Sequence, residues 1–164
     1  MKKIIIIGAG AMGSAFAVPC LENKNEVTLV GTHLEDELIN NIQLNDNFHP
    51  ALNIKLPSKL KVEKFEKLQS ILEEGVDIIV AGVSSVGIEW FVKQITKSYK
   101  KNTPIILLTK GLAIEDNELI TLSDKIKKLL KDQGHTDINI SAIKGPCLAA
   151  GLAYKMRTGT VIAN

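Results

Sequence analysis

The sequence predicts an α/β fold with a doubly wound, mostly parallel sheet. Short apolar runs rich in β-branched residues alternate with stretches of helical periodicity, and a glycine-rich turn joins the first run to the first helix. Six such runs, at 4–7, 26–30, 77–82, 104–109, 139–143 and 159–163, are nearly continuous in apolar character, as parallel strands buried on both faces should be. Helical patterns fall between them at about 12–23, 35–44, 65–74, 86–98, 116–133 and 147–156. With 164 residues, 45% of them hydrophobic and 23% charged, the chain suits one sheet domain spanning residues 1–164.

The first run, "IIII" at 4–7, breaks into Gly8, Gly10 and Gly13, which fit G-x-G-x-x-G. The three glycines have separate tasks in such a turn: a tight bend, close approach of backbone to a pyrophosphate, and close packing of helix on strand. The motif stands in the context it needs, since a strand precedes it, a helix follows, and a second strand completes the βαβ unit of a Rossmann-type sheet. The helix start adds free N–H groups and a positive dipole end. Pro19 falls inside this helix, where it removes a donor and costs about 3 kcal/mol if the helix runs on, so a kink is expected there.

The second run, at 26–30, ends in Gly31, Thr32 and His33, where the fingerprint of NAD enzymes places an acid for the ribose hydroxyl. Loss of that carboxylate removes a repulsion against a 2′-phosphate, which leans the choice between NAD and NADP toward NADP. Glu35 and Asp36 can be read as a displaced acid, but the N-terminus of the next helix is the preferred assignment for both. Residues 45–62, "NDNFHPALNIKLPSKLKV", hold two prolines and several asparagines. They read as a loop over the sheet with a short strand near 59–62.

After the fourth run come Thr109, Lys110 and Gly111, on the edge of the sheet where doubly wound folds bind ligands. A lysine there can neutralise a phosphate or polarise a carbonyl, or be an ordinary solvated loop residue. After the fifth run, Gly145 and Pro146 are expected to open a helix, with the amides of Cys147 and Leu148 free to meet an anion. A plain helix start is the alternative. Cys147 reads as a small packed side chain rather than a nucleophile, because no histidine lies near it in sequence. His33, His49 and His135 share no spacing that suggests a triad or a metal site.

The bulk composition narrows the function. Twenty basic against 18 acidic residues leave a net charge of +2, which offers no electrostatic case for nucleic acid. No apolar run is long enough for a membrane span or signal segment, and the two distant cysteines suit reduced thiols in a cytoplasmic protein.

Taken together, "GAGAMGSAFA", "VTLVGTHLEDE", "HPALNIKLPSKLKV", "VDIIVAGVSSVGIEWFVKQI", "LLTKGL" and "IKGPCLAAGLA" occur in an order and spacing that resemble the N-terminal domain of NAD(P)-dependent glycerol-3-phosphate dehydrogenases. The Thr-Lys-Gly segment is the most specific of these; ketopantoate reductases typically carry a glutamine-asparagine-glycine type of segment there. The resemblance implies that Ala11, Met12 and Thr32 line the cofactor, NADP or NAD, beside Gly8, Gly10 and Gly13. It also implies that Lys110 touches both cofactor and substrate, that Gly145 and Cys147 border the substrate, and that Ala149 meets the nicotinamide.

The implied reaction is hydride transfer between NAD(P)H and dihydroxyacetone phosphate, giving sn-glycerol 3-phosphate, a glycerophospholipid precursor. Family members continue into an all-helical domain carrying the general-acid lysine, so 164 residues are expected to form a cofactor-binding half, inactive alone, of an enzyme whose full-length form is a homodimer. The usual pattern is departed from at Met12 (an aromatic), Thr32 (arginine or histidine), Ser84 (proline) and Cys147 (serine or threonine). The alternatives are a two-domain dehydrogenase of the ketopantoate reductase or 6-phosphogluconate dehydrogenase type, and a nucleotide-sensing module without chemistry.

Overall fold

A computed structural model describes all 164 residues. The first half runs β1 (Lys3–Ile7), α1 (Ala11–Glu22), β2 (Glu26–Val30), α2 (Asp36–Leu44), β3 (Phe48–His49), β4 (Ile54–Lys55), β5 (Lys61–Glu63) and α3 (Leu68–Glu74). It continues through β6 (Ile78–Ala81), α4 (Ile88–Ile95), β7 (Ile105–Leu107), β8 (Leu112–Glu115), β9 (Glu118–Thr121), α5 (Leu122–Asp132), β10 (Ile140–Lys144), α6 (Ala149–Ala153) and β11 (Val161–Ala163).

Seven strands form one sheet in the order β11-β10-β7-β6-β1-β2-β5. All pairs are parallel except β10 with β11. The chain thus winds outward from β1 in one direction to β5 and then in the other to β11. The crevice beyond the carboxyl ends of β1 and β6 is the switch point of the sheet, where such folds receive ligands.

The isoleucine run explains how two cores arise from one strand. Side chains alternate across a strand, so Ile5 and Ile7 enter a cluster with Phe91 of α4 and Ile126 of α5, while Ile4 and Ile6 enter another with Ala15 of α1 and Ile39 of α2. Each fully buried isoleucine contributes about 1.5–3 kcal/mol over leaving it exposed. The α1 helix presents Gly13, Ser14, Ala15 and Ala17 as buried residues, small enough for it to lie close against the sheet.

Three segments depart from the pattern expected from sequence. Residues 116–121 are not helical: β8 and β9 form an antiparallel hairpin, and α5 begins only at Leu122. Asp116 and Asn117 both have positive φ, at 50° and 64°, as a two-residue hairpin turn matched to strand twist requires. The last run is an exposed antiparallel edge strand rather than a buried parallel one, because it has only β10 for a neighbour. Residues 45–62 contain the short β3–β4 hairpin. The expected short strand is found nearby as β5, parallel to β2. Elsewhere, α1 runs through Pro19 to Glu22 over the stretch where a helix is expected, and its end is closed by the Asn23 N–H donating to Pro19 O at 3.2 Å.

Candidate functional site

The glycine turn sits at the switch point. Gly8 continues the strand pairing, its N–H donating to Val30 O at 2.8 Å, and takes φ +110°. A Cβ at Gly8 would lie 2.7 Å from the Gly82 carbonyl, and one at Gly13 would lie 2.1 Å from Gly8 O. Both glycines are therefore demanded by the packing of this chain against itself.

Gly10 is different. Its φ of −59° suits any residue, and a Cβ there would meet nothing closer than Glu35 Oε1 at 3.7 Å, facing open space. The first intrahelical bond of α1 is Ser14 N–H to Gly10 O at 3.0 Å, so the amides of Ala11 and Met12 precede the helical ladder and are left for another acceptor.

Between the first two glycines, the Ala9 peptide is held by three side chains. Its N–H donates to Glu35 Oε2 at 3.0 Å, and its carbonyl accepts from Ser14 Oγ at 2.8 Å. The carbonyl also accepts from His49 Nε2 at 3.0 Å. Leu52 N–H donates to His49 Nδ1 at 3.3 Å, which assigns the ring hydrogen to Nε2 and makes that nitrogen the donor to Ala9. His49 is fully buried, so the loop over the sheet serves to brace the glycine turn.

Neither Glu35 nor His49 was assigned this place from sequence. Glu35 caps α2 by position but makes no side-chain capping bond there; its carboxylate turns back and also accepts from Thr32 N–H at 2.7 Å. The expected role at the helix N-terminus is thus corrected: two backbone donors at the β1 and β2 ends compete better for the carboxylate than the solvated first turn. An acid five residues past the end of β2 was the available signal for Glu35. His49 carried none, being 40 residues from its partner.

A cleft of about 500 Å³ opens beside the turn. Gly10, Ala11, Met12 and Thr32, four of the residues expected to line a cofactor, border it with His33, Glu35, Val83 and Trp90. Gly8 and Gly13 lie behind it as structural supports. The His33 ring stands 5.0 Å from Trp90, tilted by 36°, and Phe65 stands 5.5 Å from Trp90 and 6.3 Å from His33. These rings give the cleft an aromatic wall on which a flat heterocycle can stack.

The remaining predicted residues meet one another further along the sheet edge. Lys110 Nζ donates to Gly145 O at 2.8 Å and to Cys147 O at 3.2 Å. An ammonium has three N–H donors, so one is left for a ligand. Gly111 and Gly145 take φ +135° and +101°, which let the two loops fold toward each other. Thr109 Oγ1 donates to Val83 O, and Val83 borders the cleft, so this second group is tied to the first.

Cys147 is buried, and Ala149 begins α6, which packs on α1. Pro146 does not open this helix as expected: Leu148, in extended conformation, precedes it, and Gly145–Cys147 instead bend to offer their carbonyls to Lys110. Burial pushes the Cys20 thiol up to about 11, which keeps it protonated and inert near neutral pH. No cluster of three metal-ligating side chains exists, and no helix is long and apolar enough to cross a membrane.

Over residues 3–164 the chain matches the family described as NAD-dependent glycerol-3-phosphate dehydrogenase N-terminus. It is 35% identical over 163 residues to an NADP(+)-dependent glycerol-3-phosphate dehydrogenase of Archaeoglobus fulgidus, covering 98% of this chain and 46% of the relative. It is 32% identical over 167 residues to a glycerol-3-phosphate dehydrogenase [NAD(P)+] of Mesoplasma florum, covering 99% of this chain and 47% of that one. Among solved structures, the glycerol-3-phosphate dehydrogenase of Coxiella burnetii superposes with a TM-score of 0.79 at 23% identity, over 98% of this chain and 46% of that one, a likeness of fold. The chain spans about half the length of the curated relatives it matches.

Proposed function

Because the chain belongs to the NAD-dependent glycerol-3-phosphate dehydrogenase N-terminal family, we propose that residues 1–164 form the NAD(P)-binding half of an enzyme that interconverts dihydroxyacetone phosphate and sn-glycerol 3-phosphate. The nicotinamide supplies the hydride acceptor and donor; the chain supplies the seat. The observation that carries this reading is Gly10, whose missing side chain relieves no contact within the protein and clears the one place where a pyrophosphate would approach the start of α1.

Around that seat, the free amides of Ala11 and Met12 face the phosphates, and the His33 and Trp90 rings offer the adenine a stacking wall. Thr32 borders the adenosine ribose. At the other end, Lys110 reaches toward the transferred-hydride end of the cleft, with Gly145 and Cys147 shaping the substrate side and Ala149 beside the nicotinamide. The free N–H of Lys110 suits the phosphate or carbonyl of a small phosphorylated ketone. Two free thiols fit a reducing compartment, and the cytoplasm is the proposed location.

Calorimetric titration of the chain with NADH and with NADPH tests the reading. Saturable heat with at least one of them is expected; no heat and no rise in melting temperature with either at millimolar concentration would overturn it.

A further inference from the structure

We propose that Tyr154 is a positioning residue for the nicotinamide end of the cofactor, acting through residues 49–52 to set the short helix α6 in a fixed place relative to the glycine turn. The inference rests on the dinucleotide seat proposed above, with Ala149 beside the nicotinamide. The α6 helix has only five residues, and Leu148 before it makes no side-chain capping bond. A helix so short has little stability of its own, so its place is set by what it touches.

Contacts fix it at both ends. Ahead of α6, Lys110 Nζ holds the carbonyls of Gly145 and Cys147. Behind it, the Tyr154 hydroxyl donates to Leu52 O at 3.2 Å, across 102 residues of sequence. Lys155 also pairs with Glu22 of α1 at 2.6 Å, but both side chains are exposed, and such a pair adds little. The Tyr154 contact leads further. Leu52 N–H donates to His49 Nδ1 at 3.3 Å, and His49 Nε2 donates in turn to Ala9 O at 3.0 Å. Asn53 N–H donates to His49 O at 2.9 Å, closing a turn that makes His49 and Leu52 move together. The Leu52 side chain is buried in the same core cluster as Ala153 of α6 and Ala15 of α1. One line of hydrogen bonds therefore joins the end of α6 to the peptide between Gly8 and Gly10. In the proposed seat the phosphates lie at one end of that line and the nicotinamide at the other, so the line sets the span between the two halves of the cofactor.

Trp90 is the single tryptophan of the chain and lines the cleft, so its fluorescence reports binding of NADH and of ADP-ribose, which lacks the nicotinamide. The wild-type chain is expected to bind NADH about fivefold or more tighter than ADP-ribose. Tyr154→Phe keeps the half-exposed ring and removes only the hydroxyl. It is expected to weaken NADH about threefold or more, to leave ADP-ribose within about twofold, and to keep the melting temperature within about 3 °C. In a His49→Phe background, where the line is already cut, Tyr154→Phe should change the ratio of the two affinities no further. Equal loss for both ligands, or no loss for either, would overturn the proposal. So would losses that multiply in the double variant, because Tyr154 would then act without His49. A wild type that binds both ligands equally would overturn it while leaving the phosphate seat intact. Binding of neither ligand would remove the proposed function and this role together.

Discussion

His49 Nε2 donates to the carbonyl of Ala9 at 3.0 Å, joining a buried side chain in the β3–β4 hairpin to the centre of the glycine turn. Together with Ser14 and Glu35 it anchors the peptide groups on both sides of Ala9, which holds the amides beyond Gly10 in place before a ligand arrives. Such preorganisation lowers the ordering cost of binding.

His49→Phe keeps a planar aromatic ring, though a larger one, and removes both hydrogen bonds, leaving Leu52 N–H and one Ala9 acceptor position unmatched. Urea unfolding should show a loss of about 1–3 kcal/mol. NADH affinity should fall at the same time, because the turn it binds is no longer braced. An unchanged unfolding midpoint would show that these bonds carry no net stability.

Lys110 holds the 145–147 segment through two backbone carbonyls. Lys110→Met should speed amide hydrogen exchange in residues 145–149 while leaving β1 and β6 protected. With nicotinamide cofactor present, the variant should also lose the chemical-shift response of that segment to dihydroxyacetone phosphate. Lys110→Arg, which keeps the charge but not the compact head, should restore less than half of that response.

Asn117, at φ 64° in the β8–β9 turn, should tolerate glycine with little change in stability. Valine at the same position pays the left-handed penalty of about 1–2 kcal/mol, visible as a lower melting temperature. Nucleotide affinity should be the same in both, since the Asp116–Asn117 turn does not border the cleft.

How far the sequence foretells this structure differs between its elements. The runs at 4–7, 26–30 and 77–82 are legible because a strand covered on both faces needs unbroken apolar residues, and few other structures do. The 112–121 hairpin is not legible in that way. Its Leu112, Ile114 and Leu119 side chains are exposed, so its pattern mimics an amphipathic helix start, and its turn is Asp-Asn rather than a glycine pair. The glycine motif and Lys110 stand at strand ends, and their places follow from the topology. Glu35 reaches the same site by side-chain reversal, with only its place just past β2 as a signal, and His49 by a loop crossing the sheet, a route that leaves no spacing rule in the sequence.

The central claim, that the turn is built to receive a dinucleotide, turns on Gly10. Gly13→Ala would set a Cβ 2.1 Å from Gly8 O and should destabilise the fold outright. At Gly10 a Cβ would meet no protein atom closer than 3.7 Å, and a φ of −59° suits a side chain, so Gly10→Val should still fold. Fluorescence titration of Gly10→Val with NADH is therefore the decisive measurement, taken beside its melting temperature. At least a tenfold loss of affinity with the melting temperature within about 3 °C of wild type, a stability change under about 1 kcal/mol, is the predicted result. Wild-type affinity in a folded Gly10→Val variant would contradict it.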